Sequence, residues 1–471
     1  MPSGRPRIAF DAGTLTLERI SREDLTRVFG PIPWVWDPRA GVWRCDAIQY
    51  ASVVELARQA GLAVEDEVPN WQPVAWGRLR IHPLRPEQQQ ALAAWRLTRR
   101  GLIVMPTGTG KTEVALAAMA EASVATLVVA PVRDLMYQWH RRIAAGLAYD
   151  AGIIGDSLFR VRPVSVTTYD SACIHAERLG NQFGLVVFDE CHHLPGEVRR
   201  DAARMSAAPM RLGLTATPER SDGRDADLGE LIGPVVYEMP LADARGQTLA
   251  DYDVVRIPVH LSPEERVRYG ELSRVVRNYL IQRRKDNPSY GWQDLCSETG
   301  KTPEARLAIR AYYAKKSIED RAEEKLRVLE DLFRLHAGQA CLVFAGSNAM
   351  ARDVSRRFLI PCLLNHCGKK ERRYVLQGLA DGTYPALVAN QVLDEGIDLP
   401  EVKVAVVIGG TASSRQAKQR LGRVLRKRGG ARAVLYEIVC ADTNEEKRSR
   451  LRRGSDAYQG VRRGKRGTQE S

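Results

Sequence analysis

Two stretches of this chain alternate short apolar runs with helical segments, and that alternation limits the fold more than any other feature. In residues 78–245 the runs are LIVM (102–105), TLVVA (126–130), VSVTT (164–168), LVVF (185–188) and LGLT (212–215). In residues 326–442 they are CLVFA (341–345), ALVAN (386–390), VAVVIG (404–409) and AVLYEIV (433–439). Short apolar runs separated by segments of helical period predict a parallel sheet with helices on both faces. The expected fold class is therefore α/β, with two such sheets. Ligands of these sheets bind at the carboxyl ends of the strands. The polar signatures of the first stretch sit there, after residues 105, 130, 168, 188 and 215.

At 471 residues the chain is too long for one core. Residues 1–75 read as a small α+β unit. WVWDPRAGVWRC (34–45) is a hairpin candidate, YASVVELARQAGL (50–62) is helical with Gly61 as its cap, and 64–77 is a linker. Residues 76–250 and 326–445 are the two α/β domains. Between them, 251–325 reads as a helical insertion: Ser262-Pro263-Glu264-Glu265 is a capping box, and Arg283 and Arg284 belong to a basic face behind it. A solvated charged face is the plain alternative. Residues 446–471 are expected to be a basic disordered tail, with nine Lys or Arg from Lys447 onward.

The first strand of the larger stretch runs into GLIVMPTGTGKTEV from Gly101. Gly110, Lys111 and Thr112 fit the end of a phosphate loop, but Met105 stands where the first glycine is usual. Only 13 of the 70 basic residues are lysine, and Lys111 is the only lysine before residue 285. A chain that writes its positive charge as arginine keeps a compact ammonium here, which reaches between phosphate oxygens as a planar guanidinium does not. Thr107, Gly108, Thr109 and Gly110 would turn backbone N–H groups inward onto the anion, and Thr112 would offer a hydroxyl to Mg²⁺. A plain helix N-terminus after a Thr-Gly turn fits the same residues.

LVVFDECHHLPG (185–196) ends a strand with Asp189 and Glu190. Adjacent carboxylates pack poorly but suit a metal and a water: Asp189 to hold Mg²⁺, Glu190 to orient and deprotonate the attacking water. A surface turn is the bland reading. His192 is read as a relay of nucleotide state and His193 as local packing. Thr215 and Thr217 of GLTATP present hydroxyls beside the nucleotide edge. In QAKQRLGRVLRKRGG (416–430), a helix would put Gln419, Arg423 and Arg426 on one face, where arginines can neutralise a transferring γ-phosphate. An ordinary basic helix has the same pattern.

The eight cysteines are scattered, which suits reduced thiols in the cytoplasm. Cys362, His366 and Cys367 could form half a metal site, but no second pair matches. No apolar run approaches the ~20 residues of a membrane helix, and the N-terminus has no apolar core of a secretory signal. A net charge of +13 points to a polyanionic partner, most simply nucleic acid.

The order of LRPEQ, MPTGTGKT, VAPVRDL, TTYDS, DECH, TATP, VFAGS, DEGIDLP and QRLGRVLR resembles superfamily two helicases, in which a residue other than glycine at Met105 is normal. VLDEGIDLP with QRLGRVLR, and WDPRAGVWRCDAIQYASVVELARQAG near the N-terminus, resemble the XPB family in its compact archaeal or bacterial form. The resemblance covers residues 30–440. It implies two RecA-like domains, a damage-recognition-like N-terminal domain and a thumb-like insertion. It implies ATP and Mg²⁺, with Arg85, Gln88, Gly396 and Asp398 joining the nucleotide site. The activity it implies is that of a 3′-5′ DNA helicase or double-stranded DNA translocase in a prokaryotic, nucleoid-associated setting, acting in repair or transcription. Where the family parts the duplex with Arg-Glu-Asp, this chain has Arg220, Ser221 and Asp222, so gripping and translocation are expected to exceed unwinding. Arg220, Asp222, Arg283 and Arg284 are the expected DNA contacts. Other readings are a module recruiting a nuclease or transcription partner, an RNA helicase, and the motor of a defence system.

Overall fold

The computed structural model of the chain describes residues 5–218, 223–240, 243, 252–364, 366–390, 402–409 and 433–453. The chain divides into two compact units, residues 1–244 and 245–471.

The first unit holds two sheets. The smaller has β1 (Arg7–Asp11), β2 (Thr14–Glu18), β3 (Val35–Asp37), β4 (Val42–Asp46) and β5 (Glu65–Asp66) in the order β3-β4-β2-β1-β5. The hairpin expected at 34–45 is β3 paired with β4, Val35 opposite Arg44. The helix at Tyr50–Gln59 ends with Gly61 at φ +64°, a conformation glycine adopts without strain. The expected linker instead supplies β5, which pairs in parallel with β1. Leu15, Leu17, Phe29, Val53 and Val68 form this sheet's core. The sheet docks on the rest of the unit: Arg204 pairs with Asp46, and Asn181 Nδ2 donates to the Val68 carbonyl at 3.0 Å.

The larger sheet has β6 (Arg100–Val104), β7 (Thr126–Ala130), β8 (Gly152–Gly155), β9 (Leu158–Arg160), β10 (Val164–Thr168), β11 (Leu185–Asp189), β12 (Met210–Thr215) and β13 (Val235–Glu238), in the order β13-β6-β12-β11-β7-β10-β8-β9. All five expected strands are present and pair in parallel. Their central residues are buried on both faces, which is why they read as unbroken apolar runs. The strands β8, β9 and β13 at the margins carry weaker apolar signals.

The second unit holds β14 (Tyr252–Val259), β15 (Cys341–Ala345), β16 (Cys362–Leu363), β17 (Ala386–Ala389), β18 (Val404–Ile408) and β19 (Ala433–Cys440), in the order β14-β19-β18-β15-β17-β16. β14 corrects the boundary expected at 251. It is an edge strand pairing in parallel with β19 from Tyr252–Ala433 to Val259–Cys440. The helical insertion therefore begins at Pro263, where Ser262 accepts from Glu265 N and the Glu265 carboxylate accepts from Ser262 N, the expected capping box. A second correction concerns the tail. A helix runs over Asn444–Arg453, held by Glu445, whose buried carboxylate takes the Lys325 ammonium at 2.7 Å and the Cys440 N–H at 2.9 Å.

Candidate active site

The site grows out of the sheet order. β12 lies between β6 and β11, with Thr215 opposite Val104 and Leu214 opposite Asp189. Three signatures distant in sequence thus meet at neighbouring strand ends. Met105 N donates to Thr215 O at 3.0 Å and ties the first loop to the third.

The glycine loop leaves β6 and enters the helix Lys111–Ala122. Gly108 and Gly110 have φ of +89° and +81°, so the loop turns as the Thr-Gly sequence requires. Lys111 is buried, and its Nζ donates to the carbonyls of Met105 at 2.9 Å and Pro106 at 3.4 Å. The ammonium rests inside the curl of its own loop. Thr109 Oγ1 bonds the Pro106 carbonyl at 2.7 Å, while Thr112 stands in the first helical turn. Arg85 and Gln88 lie against the same loop. Gln88 Nε2 donates to Thr109 O at 2.9 Å, Gln88 Oε1 accepts from Arg85 N at 2.9 Å, and the Arg85 guanidinium also bonds Thr109 O. Both ends of the Gln88 amide are thus engaged by the protein. A Cβ on Gly110 would sit 2.4 Å from Gln88 Nε2, a second reason for glycine there.

Asp189 ends β11 with both oxygens bound. Trp139 Nε1 donates to Oδ2 at 2.8 Å and Glu190 N to Oδ1 at 3.0 Å, while Tyr169 OH donates to the Asp189 carbonyl at 3.0 Å. Burial, then the charge of Glu190, pushes the Asp189 carboxyl up to about 6, against the opposing pull of the Trp139 bond and Lys111. Glu190 takes a left-handed φ of +46° and opens a short helical turn over Cys191–His193. Such a conformation is strained for glutamate. His192 is fully buried, with Nδ1 3.0 Å from Thr215 Oγ1 and 3.5 Å from Glu190 Oε2. Thr215 Oγ1 in turn donates to Thr217 O at 2.9 Å. His193 stacks at a tilt 4.4 Å from His192 and 6.3 Å from Tyr169.

The buried oxygens without a hydrogen-bond partner among the described residues include three at this site, Thr107 Oγ1, Glu190 Oε2 and Thr217 Oγ1, the Glu190 oxygen having His192 Nδ1 at 3.5 Å. Unsatisfied buried polar atoms are costly, and the Asp189 carboxyl beside Glu190 is raised by burial and then by the Glu190 charge. The donor set is all oxygen, from Asp189, Glu190 and Thr112, which suits a hard cation such as Mg²⁺. The residues present therefore fit Mg²⁺ with a phosphate chain.

Trp139 and Tyr169 were not candidates from sequence. The signal for Trp139 was only its place on the buried stripe Met136, Trp139 and Ile143 of the helix Arg133–Leu147. Tyr169 lay within TTYDS. Arg220 and Asp222 of the first unit, and Gly396, Asp398, Gln419, Arg423 and Arg426 of the second, lie outside the described residues. Arg283 and Arg284, the other expected DNA contacts, make bonds within the insertion. Arg283 bonds Tyr279 OH at 3.2 Å and Glu298 at 3.2 Å, and Arg284 Nε bonds the Tyr290 carbonyl at 3.1 Å. Among the described residues no cluster of three metal-ligating His, Cys, Asp or Glu forms, and no helix is long and apolar enough to cross a membrane.

Comparison with known proteins gives the lineage. Family profiles match at residues 81–220 for the type III restriction enzyme res subunit, 324–428 for the helicase conserved C-terminal domain, and 8–68 for the xeroderma pigmentosum group B helicase damage recognition domain. The chain is 38% identical over 419 residues to the DNA 3'-5' translocase XPB2 of Sulfurisphaera tokodaii, covering 89% of this chain and 95% of that protein. It is 32% identical over 379 residues to the DNA 3'-5' helicase XPB of Kineococcus radiotolerans, covering 77% of this chain and 61% of that one. Among solved structures, the Hef helicase domain of Pyrococcus furiosus aligns over 78% of this chain and 98% of its own length. Its TM-score of 0.54 at 16% identity speaks for the shared fold alone. With the damage recognition profile on the N-terminal sheet, both helicase profiles behind it and a 38% identical relative matched over nearly its full length, this chain belongs to the XPB family of helicases.

Proposed function

We propose that the chain is an ATP-driven motor on DNA, a 3'-5' translocase or helicase acting in repair or transcription. The observation that carries this reading is the phosphate loop set one strand away from the Asp189–Glu190 pair, with Thr215 between them. ATP is the substrate. Its phosphate chain enters at the N-terminus of Lys111–Ala122, where N–H groups and the helix dipole favour an anion. Lys111 exchanges the Met105 and Pro106 carbonyls for phosphate oxygens. Thr112 and Asp189 would hold Mg²⁺, which would supply positive charge against the charge building on those oxygens. Trp139 and Tyr169 fix Asp189 so that it meets the cation without reorganising. Glu190, whose Oε2 makes no hydrogen bond among the described residues, orients the attacking water and takes its proton.

His192 and Thr215 extend the site away from the chemistry. Glu190 lies 3.5 Å from His192, which lies 3.0 Å from Thr215. A change in the position of Glu190 thus has a short polar route to the end of β12 at Thr215. The net charge of +13 favours a DNA backbone as the track.

ATP turnover by the purified chain, alone and with duplex, single-stranded or forked DNA or with RNA, tests the proposal, with Lys111→Ala as the blank. Stimulation by DNA that vanishes in the variant is expected. Stimulation by RNA alone, or by no nucleic acid, would overturn it.

A further inference from the structure

The helices Pro263–Asp286, Trp292–Glu298 and Pro303–Arg321 build a satellite core from Tyr290, Leu295, Ala305 and Ala308. A polar lock stiffens it. Tyr279 and Tyr290 hydroxyls donate to the same Glu298 oxygen at 2.7 and 2.9 Å, and Arg283 approaches it at 3.2 Å. Outside this lock stands a cluster of three rings. Trp292 lies 4.2 Å from Tyr312 and 6.3 Å from Tyr313, and the two tyrosines are 5.6 Å apart. Trp292 is 42% exposed and Tyr313 57% exposed.

Large rings left in water on a rigid support forgo burial that the fold could have used. Their surroundings suggest why. On the helix Pro303–Arg321, Arg306, Arg310, Tyr313 and Ser317 follow spacings of four, three and four, so they share one face, and all four are exposed. Lys316 borders that face. Neither arginine nor Lys316 makes an ion pair or hydrogen bond among the described residues, whereas most of the described arginines do. The acids of the helix are elsewhere: Glu304 lies roughly on the opposite side, while Glu319 and Asp320 are buried. The face is therefore aromatic and cationic, with no acid on it.

Phosphates alone would need only the cations. Exposed rings interleaved with arginines match unpaired bases, whose faces stack on aromatic side chains whatever the sequence. In a duplex those faces are already covered by neighbouring bases. We propose that this face is a stacking platform for single-stranded DNA. Tyr313 and Trp292 take bases, and Arg306 and Arg310 take flanking phosphates. From Arg306 to Tyr313 is about 10 Å along the helix, roughly three nucleotides at ~3.4 Å per strand step. The platform would hold a strand after it is parted from its complement, and it rests on the reading of the chain as a DNA motor.

The test is binding of a fluorescein-labelled oligothymidylate and of a blunt duplex to the full chain without nucleotide. Tyr313→Ala should weaken oligothymidylate binding about five-fold or more while duplex binding changes less than two-fold. Tyr313→Phe keeps the ring and should bind as the parent does. Arg306→Ala with Arg310→Ala should reduce the log–log salt slope for the single strand by about one to two. An unchanged affinity in Tyr313→Ala, or equal losses on both substrates, would overturn the platform and leave the motor intact. A parent chain that binds neither nucleic acid would overturn both. An unchanged unfolding temperature in Tyr313→Ala, expected for an exposed ring, keeps a binding loss from being a folding loss.

Discussion

The Trp139–Asp189 bond offers a direct reading of the electrostatics of the site. The Asp189 carboxyl stands at about 6, against an ordinary 3.8, because burial and then the Glu190 charge disfavour its ionised form. A shift of about two units corresponds to about 3 kcal/mol. The sign follows from proton binding. The native state holds this proton more tightly than the unfolded chain, so between pH 4 and 6 it binds more protons, and its stability falls as pH rises through that window. Above about 6 the ligand-free site carries the full penalty. Glu190→Gln removes the second-largest cause, so the Asp189 midpoint should drop and the native state should gain roughly 1 kcal/mol at neutral pH, while ATP turnover is lost. The reporter is the Trp139 indole N–H, 2.8 Å from Oδ2, followed by ¹⁵N-indole NMR across pH 4.5–7.5 and assigned with Trp139→Phe. A titration near 6 in the parent that moves down in Glu190→Gln, and down again on adding Mg²⁺ and ADP, is expected. A midpoint below about 4.5 in the ligand-free parent, or no response to Glu190→Gln, would refute this account of the pair.

Three further outcomes are expected. Arg211 is fully buried and caps four carbonyls, those of Ala203, Ser206, Ala208 and Leu231, at 2.6–3.2 Å; Arg211→Leu should cost about 3 kcal/mol or more by denaturant unfolding, since it strands those acceptors. Lys325→Met leaves the Glu445 carboxylate buried and uncompensated, and should cost about 3–5 kcal/mol, most of it recovered when Glu445→Leu is added; no recovery would show that the pair does more than balance charge. If Ser221 weakens strand parting, Ser221→Glu should raise the rate in a strand-separation assay while DNA-stimulated ATP turnover stays within two-fold, and an unchanged unwinding rate would remove that role.

Much of the site was legible because its residues are short-range patterns. A glycine turn between an apolar strand and a helix, with Lys111 and Thr112 at its exit, folds the same way wherever it occurs, since backbone sterics and the helix N-terminus decide it locally. The apolar runs located their strands within a residue or two because both faces of a parallel sheet are buried. Asp189 and Glu190 stood out because two acids at the end of such a run have no packing reason to be there. Composition singled out Lys111 through its rarity.

What tertiary structure decided is which distant residues meet. The order β6-β12-β11 brings Thr215 between the loop and the acids, and nothing local dictates which strand becomes a neighbour. Trp139 and Tyr169 acquire their roles only because tertiary packing brings both side chains to Asp189 at the end of β11, and on sequence they are two more buried aromatics. β14 is a strand because β19 offers an open edge 181 residues away, from Tyr252 to Ala433. The helix Asn444–Arg453, with its excess of charge, is ordered because a buried Lys325 awaits Glu445. Arg283 and Arg284 read as a basic face, and tertiary structure decides that they also bond within the insertion, to Tyr279 one turn earlier on the same helix and to Glu298 and Tyr290 beyond it. Local sterics and periodicity thus determined the elements and the phosphate loop, while long-range pairing and charge compensation, which depend on partners far along the chain, determined how those elements became a site.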